Sequence, residues 1–301
     1  MLIFTGNNRM RMRKQILPAV IALLAATTLS AQGIKPLDDG KYSVENGAVT
    51  LTVDVAHGGK ILSFRHGEQE VIAQNEAAAP APAPAEGQPR RRWFNPNSYG
   101  STFWTSPQAE WNWPPVPEYD SLPYEAEVKD NALFLKGQVS KYGYRICKTF
   151  KADPADGAIV VTYSIVNESG EERSVAPWEI TRVPNGGSIL FDAQPEGVTP
   201  ADLMKVSFGD GVARLDIDEA NENRKINVDG KGWLAFRDHG IVLLKKFQDI
   251  APSEAAPGEA EIQVYINARK TFVEIEAQGP YTKLQPGEAL DWTVRWYLLQ
   301  Q

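Results

Sequence analysis

The sequence predicts an all-β protein, built as a large antiparallel β-sandwich. Two observations predict this class. Many short segments alternate apolar and polar residues and are rich in Val, Ile, Thr, Phe and Tyr. Nowhere over a long stretch do apolar residues recur at the i, i+3, i+4, i+7 spacing of an amphipathic helix. About a dozen strands without helices bury their apolar faces only by packing one antiparallel sheet on another.

The elements follow in chain order. "MRMRKQILPAVIALLAATTLSAQG" has a basic start (Arg11, Arg13, Lys14), an apolar run from Ile16 to Leu29 and a small-residue exit. It reads as a secretory signal peptide over 1–31, cleaved after Ala31. The run is shorter than the ~20 apolar residues a membrane-spanning helix needs, so no membrane span is expected in the mature chain. Residues 32–301 are expected to form a single domain. Strands are expected at 48–56, 60–66, 132–140, 144–152, 158–167, 188–193, 232–238, 240–247, 261–268, 271–278 and 290–299, each bounded by Gly, Asn, Asp or Pro. "TPADLMKVSF" (199–208) suggests one helical turn. "NEAAAPAPAPAEGQPRRR" is low in complexity and reads as an exposed insertion loop at about 75–92, with a second, smaller loop at 251–261.

Charge and composition exclude several functions. The chain carries 31 Lys and Arg against 38 Asp and Glu, a net charge of −7, and the leader holds four of the cations and no acid. An acidic chain lacks the Lys and Arg that neutralise phosphates, so no nucleic-acid partner is expected. Cys147 is the only cysteine, which excludes an internal disulfide and reads as a buried thiol. His57, His66 and His239 have no metal-ligand spacing, so no metal is expected. No phosphate loop, dinucleotide fingerprint or G-x-S-x-G elbow is present, and no cofactor is expected.

Two regions could carry chemistry. In "TFVEIEAQ" alternation puts Phe272, Glu274, Glu276 and Gln278 on one face and Val273, Ile275 and Ala277 on the other. Either this is a sheet face turned to water, or one of its carboxylates is a general base or holds a sugar hydroxyl. In "APWEITRVPNGG" Glu179 either pairs with Arg182 in a purely structural role or is a second catalytic carboxylate. The stretch "GSTFWTSPQAEWNWPPVPEYDSLPY" (100–124) places Gln108 among Trp104, Trp111 and Trp113. Flat rings with polar neighbours suit the apolar face and hydroxyls of a sugar ring, but the rings could equally cover the sandwich. Trp104 is expected in the core; Trp111 and Trp113 are expected to meet a ligand.

Three stretches resemble the galactose-mutarotase-like superfamily, the supersandwich fold: "NGAVTLTVDVAHGGKILSFRHGEQEVI", "GSTFWTSPQAEW" and the closing "FVEIEAQGPYTKLQPGEALDWTVRWYL". More narrowly, the mature chain is similar to the DUF4380-like group of secreted bacterial proteins. The resemblance matches Glu276, in Glu276-Ala277-Gln278, to the general base of the mutarotases. Their acid is a His; the corresponding stretch here has none and offers Glu179 or Arg182. Together these readings imply a secreted or periplasmic protein that binds a mono- or oligosaccharide in a cleft on one sheet face. Gln108, Trp111, Trp113, Arg182, Glu274 and Gln278 are the expected substrate-binding residues. The alternative is a sugar-active enzyme, epimerase-like or glycoside-processing, with Glu276 as base and Glu179 as acid. A third reading is a secreted structural or interaction domain.

Overall fold

The predicted strands pair antiparallel in two large sheets. A computed structural model describes residues 32–74, 99–218, 220, 222–268 and 270–301. One sheet has twelve strands. Its path runs Gln32–Pro36, Lys41–Asn46, Val49–Asp54, Lys60–His66, Ser101–Ser106, Arg173–Val183, Val273–Gln278, Ile262–Ile266, Arg224–Val228 and Val198–Thr199. Gln69–Glu70 and Thr282–Leu284 flank it. The other sheet has ten strands, in the order Val206–Gly209, Val212–Asp216, Ser188–Phe191, Trp233–Asp238, Ile241–Lys246, Ala289–Gln300, Ala158–Asn167, Tyr144–Asp153, Ala132–Val139 and Glu125–Lys129. The leader and the 75–92 insertion lie outside the described residues. No helix among the described residues is long and apolar enough to cross a membrane.

The core lies between the sheets. From the twelve-stranded sheet come Val273, Ile275 and Ala277, all fully buried, and Phe103, whose ring stacks on Tyr163 of the other sheet at 4.1 Å. Phe64 meets Trp296 edge to face at 5.5 Å. The opposite face of Val273–Gln278 therefore points away from the ten-stranded sheet and carries Glu274, Glu276 and Gln278, as alternation predicts.

Some local expectations fail. Residues 199–208 hold no helix: Val198–Thr199 and Val206–Gly209 are strands, with a tight turn between them. Cys147 is half-buried rather than buried, because it alternates with Tyr144 and Ile146 and faces outward. The central strand Arg173–Val183 shows no alternation because its last nine residues are buried on both faces.

That strand overturns the pairing of Glu179 with Glu276. Glu179 sits opposite Phe103 and Ala277, so its side chain enters the core. There it forms an ion pair with Lys245 of the other sheet; both side chains are fully buried. Tyr163 donates its hydroxyl to Glu179 Oε2 at 2.6 Å and Trp296 Nε1 donates at 3.2 Å. Lys245 also donates to Thr181 Oγ1 at 2.6 Å. Burial pushes Lys245 towards its neutral form and Glu179 opposes that. Glu179 thus clamps the two sheets together and cannot meet a ligand on the outer face.

Removing one partner of a buried pair strands the other charge. Lys245→Met is expected to lower stability by about 3–5 kcal/mol in denaturant unfolding. The double variant Glu179→Gln/Lys245→Met should recover most of that loss. A double variant no more stable than Lys245→Met would contradict the clamp.

Candidate functional site

The outer face of the twelve-stranded sheet gathers polar and aromatic side chains from five neighbouring strands. Directly opposed residues of antiparallel strands share a face. Across the sheet the pairs are Trp104 with Trp178, Trp178 with Gln278, Ile180 with Glu276, Arg182 with Glu274, Glu276 with Gln263, Glu274 with Tyr265, and Gln263 with Asn227. Lys225 opposes Tyr265 on the same face.

Glu276 is the centre of this face. It is 1% exposed, and its Oε2 accepts from Trp178 Nε1 at 2.8 Å and from Lys225 Nζ at 3.1 Å. Burial raises the pKa of Glu276 above the usual carboxylate range, and Lys225 opposes the shift. The Lys225 ammonium lies 5.0 Å from the centre of the Trp178 ring. Its side chain is 35% exposed, so it lies between Glu276 and solvent.

The other expected residues divide. Arg182 is 1% exposed and pairs with Glu274 at 2.7 Å, packed against the rings of Phe272 and Trp104. Gln278 is fully engaged: Ser106 Oγ donates to it at 2.6 Å, and its amide donates to Gln263 at 3.1 Å and Glu259 at 3.3 Å. Gln108 contributes its backbone N–H, which donates to Glu259 at 3.1 Å.

The two tryptophans expected to act together are separated. The chain makes a tight 3-10 turn at Gln108–Glu110, and Asn112 takes a left-handed conformation with φ of 61°. Trp111 therefore turns down onto the sheet, 7% exposed, with its Nε1 donating to Thr105 O at 2.9 Å. Trp113 stays 42% exposed, edge-on to Trp104 at 6.4 Å. Trp104 is buried, as expected, but on the outer face. Its Nε1 and Thr102 Oγ1 both donate to Asp120 Oδ1 at 3.0 Å. Asp120 also pairs with Lys60 at 3.3 Å; burial pulls Lys60 down to about 8.

At the far end of this face the Gln278–Gln263 network reaches a pocket of about 470 Å³. Gln263 donates to Asn227 and to Glu259 at 2.9 Å each, and both accepting residues line the pocket. The 251–261 loop forms one wall through Ala251, Pro252, Ala255 and Glu259. Lys225, Tyr265 and Asn227 are not among the residues the sequence singles out, and the 251–261 segment is expected only as a surface loop. The alternation of Lys225 and Asn227 with Ile226 and Val228 in "RKINV" is the signal for the strand Arg224–Val228. The pocket wall had none, since its Ala, Pro and Glu residues read as a surface loop.

The same architecture is found in solved structures. The Slr1438 protein of Synechocystis sp. PCC 6803 matches with a TM-score of 0.55 at 12% identity, over 91% of this chain and 99% of that one. A galactose mutarotase-like protein of Lactobacillus casei ATCC 334 matches at 0.55 and 13% identity, over 86% of this chain and all of the other. One of the same description from Clostridium acetobutylicum matches at 0.51 and 8%, over 87% and 95%. The fold is thus the galactose-mutarotase-like sandwich. By sequence the chain belongs to the DUF4380 family, a domain of unknown function, which it matches over residues 40–299. No curated protein matches it by sequence.

One pH dependence follows from the pocket. Glu261 is 2% exposed, and burial, with Asp249 and Asp229 nearby, pushes its carboxyl up from 4.5 to about 7, against the backbone amides of Gly232 and Gly230. A carboxyl raised in the folded state favours folding while protonated. That contribution is complete below its unfolded pKa and is lost as pH rises through about 7. Glu261→Gln should therefore flatten the fall in stability between about pH 4.5 and about pH 8, by up to roughly 3 kcal/mol. Unfolding curves with identical pH slopes in both proteins would contradict this.

Proposed function

We propose that the outer face of the twelve-stranded sheet binds a mono- or oligosaccharide. The observation that carries this is a chain of contacts from an exposed ring to a buried carboxylate. Trp113 meets Trp104 edge-on, Trp104 meets Trp178 at 5.4 Å, and Trp178 donates to Glu276. An exposed indole offers a platform for the apolar face of a sugar ring. Lys225, Tyr265 and Asn227, all partly exposed on the same face, supply polar groups for hydroxyls. The likeness to structures described as galactose mutarotase-like supports the reading. A secreted or periplasmic location goes with it, supported by the basic and apolar leader. Mass mapping of exported protein checks that location by a new N-terminus at Gln32.

Trp113→Ala removes the platform at an exposed position, so stability should stay within about 0.5 kcal/mol. Saccharide affinity should fall about tenfold, the worth of one ring contact. A glycan array followed by calorimetry on both proteins measures this. Binding of the same sugars with unchanged affinity by Trp113→Ala would contradict the platform, and no binding of any sugar would remove the reading.

A second reading, an aldose 1-epimerase-like enzyme, is favoured by the Lys225–Glu276 contact. Burial increases the proton affinity of Glu276, which suits a base taking the proton of an anomeric hydroxyl. Lys225, 3.1 Å away, could return a proton to the ring oxygen as the ring opens. Glu179 has no part in it. Mutarotation assays of common aldoses should then show a loss of about a hundredfold or more in Glu276→Gln. Equal rates in both proteins would exclude Glu276 as a base.

A further inference from the structure

The pocket at the end of the outer face has an unbalanced charge. Four carboxylates line it (Glu196, Asp229, Glu259 and Glu261) against one lysine, Lys231. Glu259 is satisfied by Gln108, Gln263 and Gln278. Glu261 is not. Its Oε1 accepts the Gly232 N–H at 2.7 Å, while Oε2 is buried beside the Gly230 amide without a well-formed hydrogen bond. Asp229 Oδ1 is also buried without one. Buried polar atoms are almost always paired, and a buried carboxylate is costly without a countercharge. Among the described residues, no set of three or more His, Cys, Asp or Glu side chains is placed to hold a metal ion. The two open carboxylate oxygens suit an organic cation that brings its own N–H donors. Val228, Ile250 and Ala255 add an apolar lining suited to a ring or short carbon frame.

We propose that this pocket takes the free ammonium group of an amino sugar, with Glu261 and Asp229 as its acceptors. The proposal rests on the saccharide reading for the sugar part, while the ammonium part stands on the pocket alone. An ammonium has three donors for the two open carboxylate oxygens and neutralises the buried charge. The Gln278–Gln263–Glu259 network ties the pocket to the Trp178–Glu276 centre.

Calorimetry at about pH 7 with glucosamine, N-acetylglucosamine, glucose and ethanolamine tests it on the whole protein, Glu261→Gln and Trp113→Ala. Glucosamine is expected to bind at least about tenfold more tightly than its acetylated and neutral counterparts, the scale of one charge-assisted contact. Glu261→Gln should abolish that preference, and Trp113→Ala should keep it. Equal binding of the three sugars overturns the amino-sugar assignment and leaves the saccharide reading intact. Binding of ethanolamine without glucosamine, or of none of the four, overturns the amino-sugar assignment, while the saccharide reading itself stands or falls with the glycan array. If Glu261→Gln does not fold, Asp229→Asn, at a less buried position, carries the same expectation.

Discussion

The buried pair of Glu179 and Lys245 fixes which way the central strand faces. Arg173–Val183 is covered on both sides, so hydrophobic burial alone gives it little preference for one face over the other. A slip of one residue would send every side chain to the opposite face. The ion pair, with Tyr163, Trp296 and Thr181 around it, removes that freedom: Glu179 and Thr181 must point inward. Trp178, Ile180 and Arg182 are then forced outward. Through the pairing with Val273–Gln278, this orientation sets Glu276 beneath Trp178 and Glu274 beside Arg182. The polarity of the whole outer face thus depends on an interaction in the core.

That outer face is graded. At its centre the polar groups satisfy one another: Glu276 with Trp178 and Lys225, Arg182 with Glu274, Gln278 with Ser106 and Gln263. Such a network is rigid and presents little open hydrogen-bonding capacity. Capacity appears at the two ends, as the exposed ring of Trp113 and the unpaired oxygens of Glu261 and Asp229. On the proposed reading recognition belongs at these ends, with the buried centre between them.

Strands with one wet face were legible in the sequence, because alternation reports burial on one side. Val273–Gln278 shows this: its inward Val, Ile and Ala and its outward Glu, Glu and Gln fall as the period of two requires. Arg173–Val183 was not legible as a strand, since burial on both faces erases the alternation. Glu179 was misplaced for the same reason: next to Arg182 in sequence, it looks like that residue's neighbour in space. In fact the three-residue separation puts the two on opposite faces. The parting of Trp111 and Trp113 was hidden by a single left-handed residue, Asn112. The pocket depended on long-range contacts of the 251–261 loop that no local pattern encodes.

The central claim is that ligands meet the outer face of the twelve-stranded sheet. Fluorine NMR of protein labelled with 5-fluorotryptophan tests it directly, because the indoles report both faces. Titration with a saccharide that binds should move the resonances of Trp113 and Trp178 and leave those of Trp292 and Trp296, buried between the sheets, in place. Shifts confined to Trp292, Trp296 or Trp233 would contradict the account.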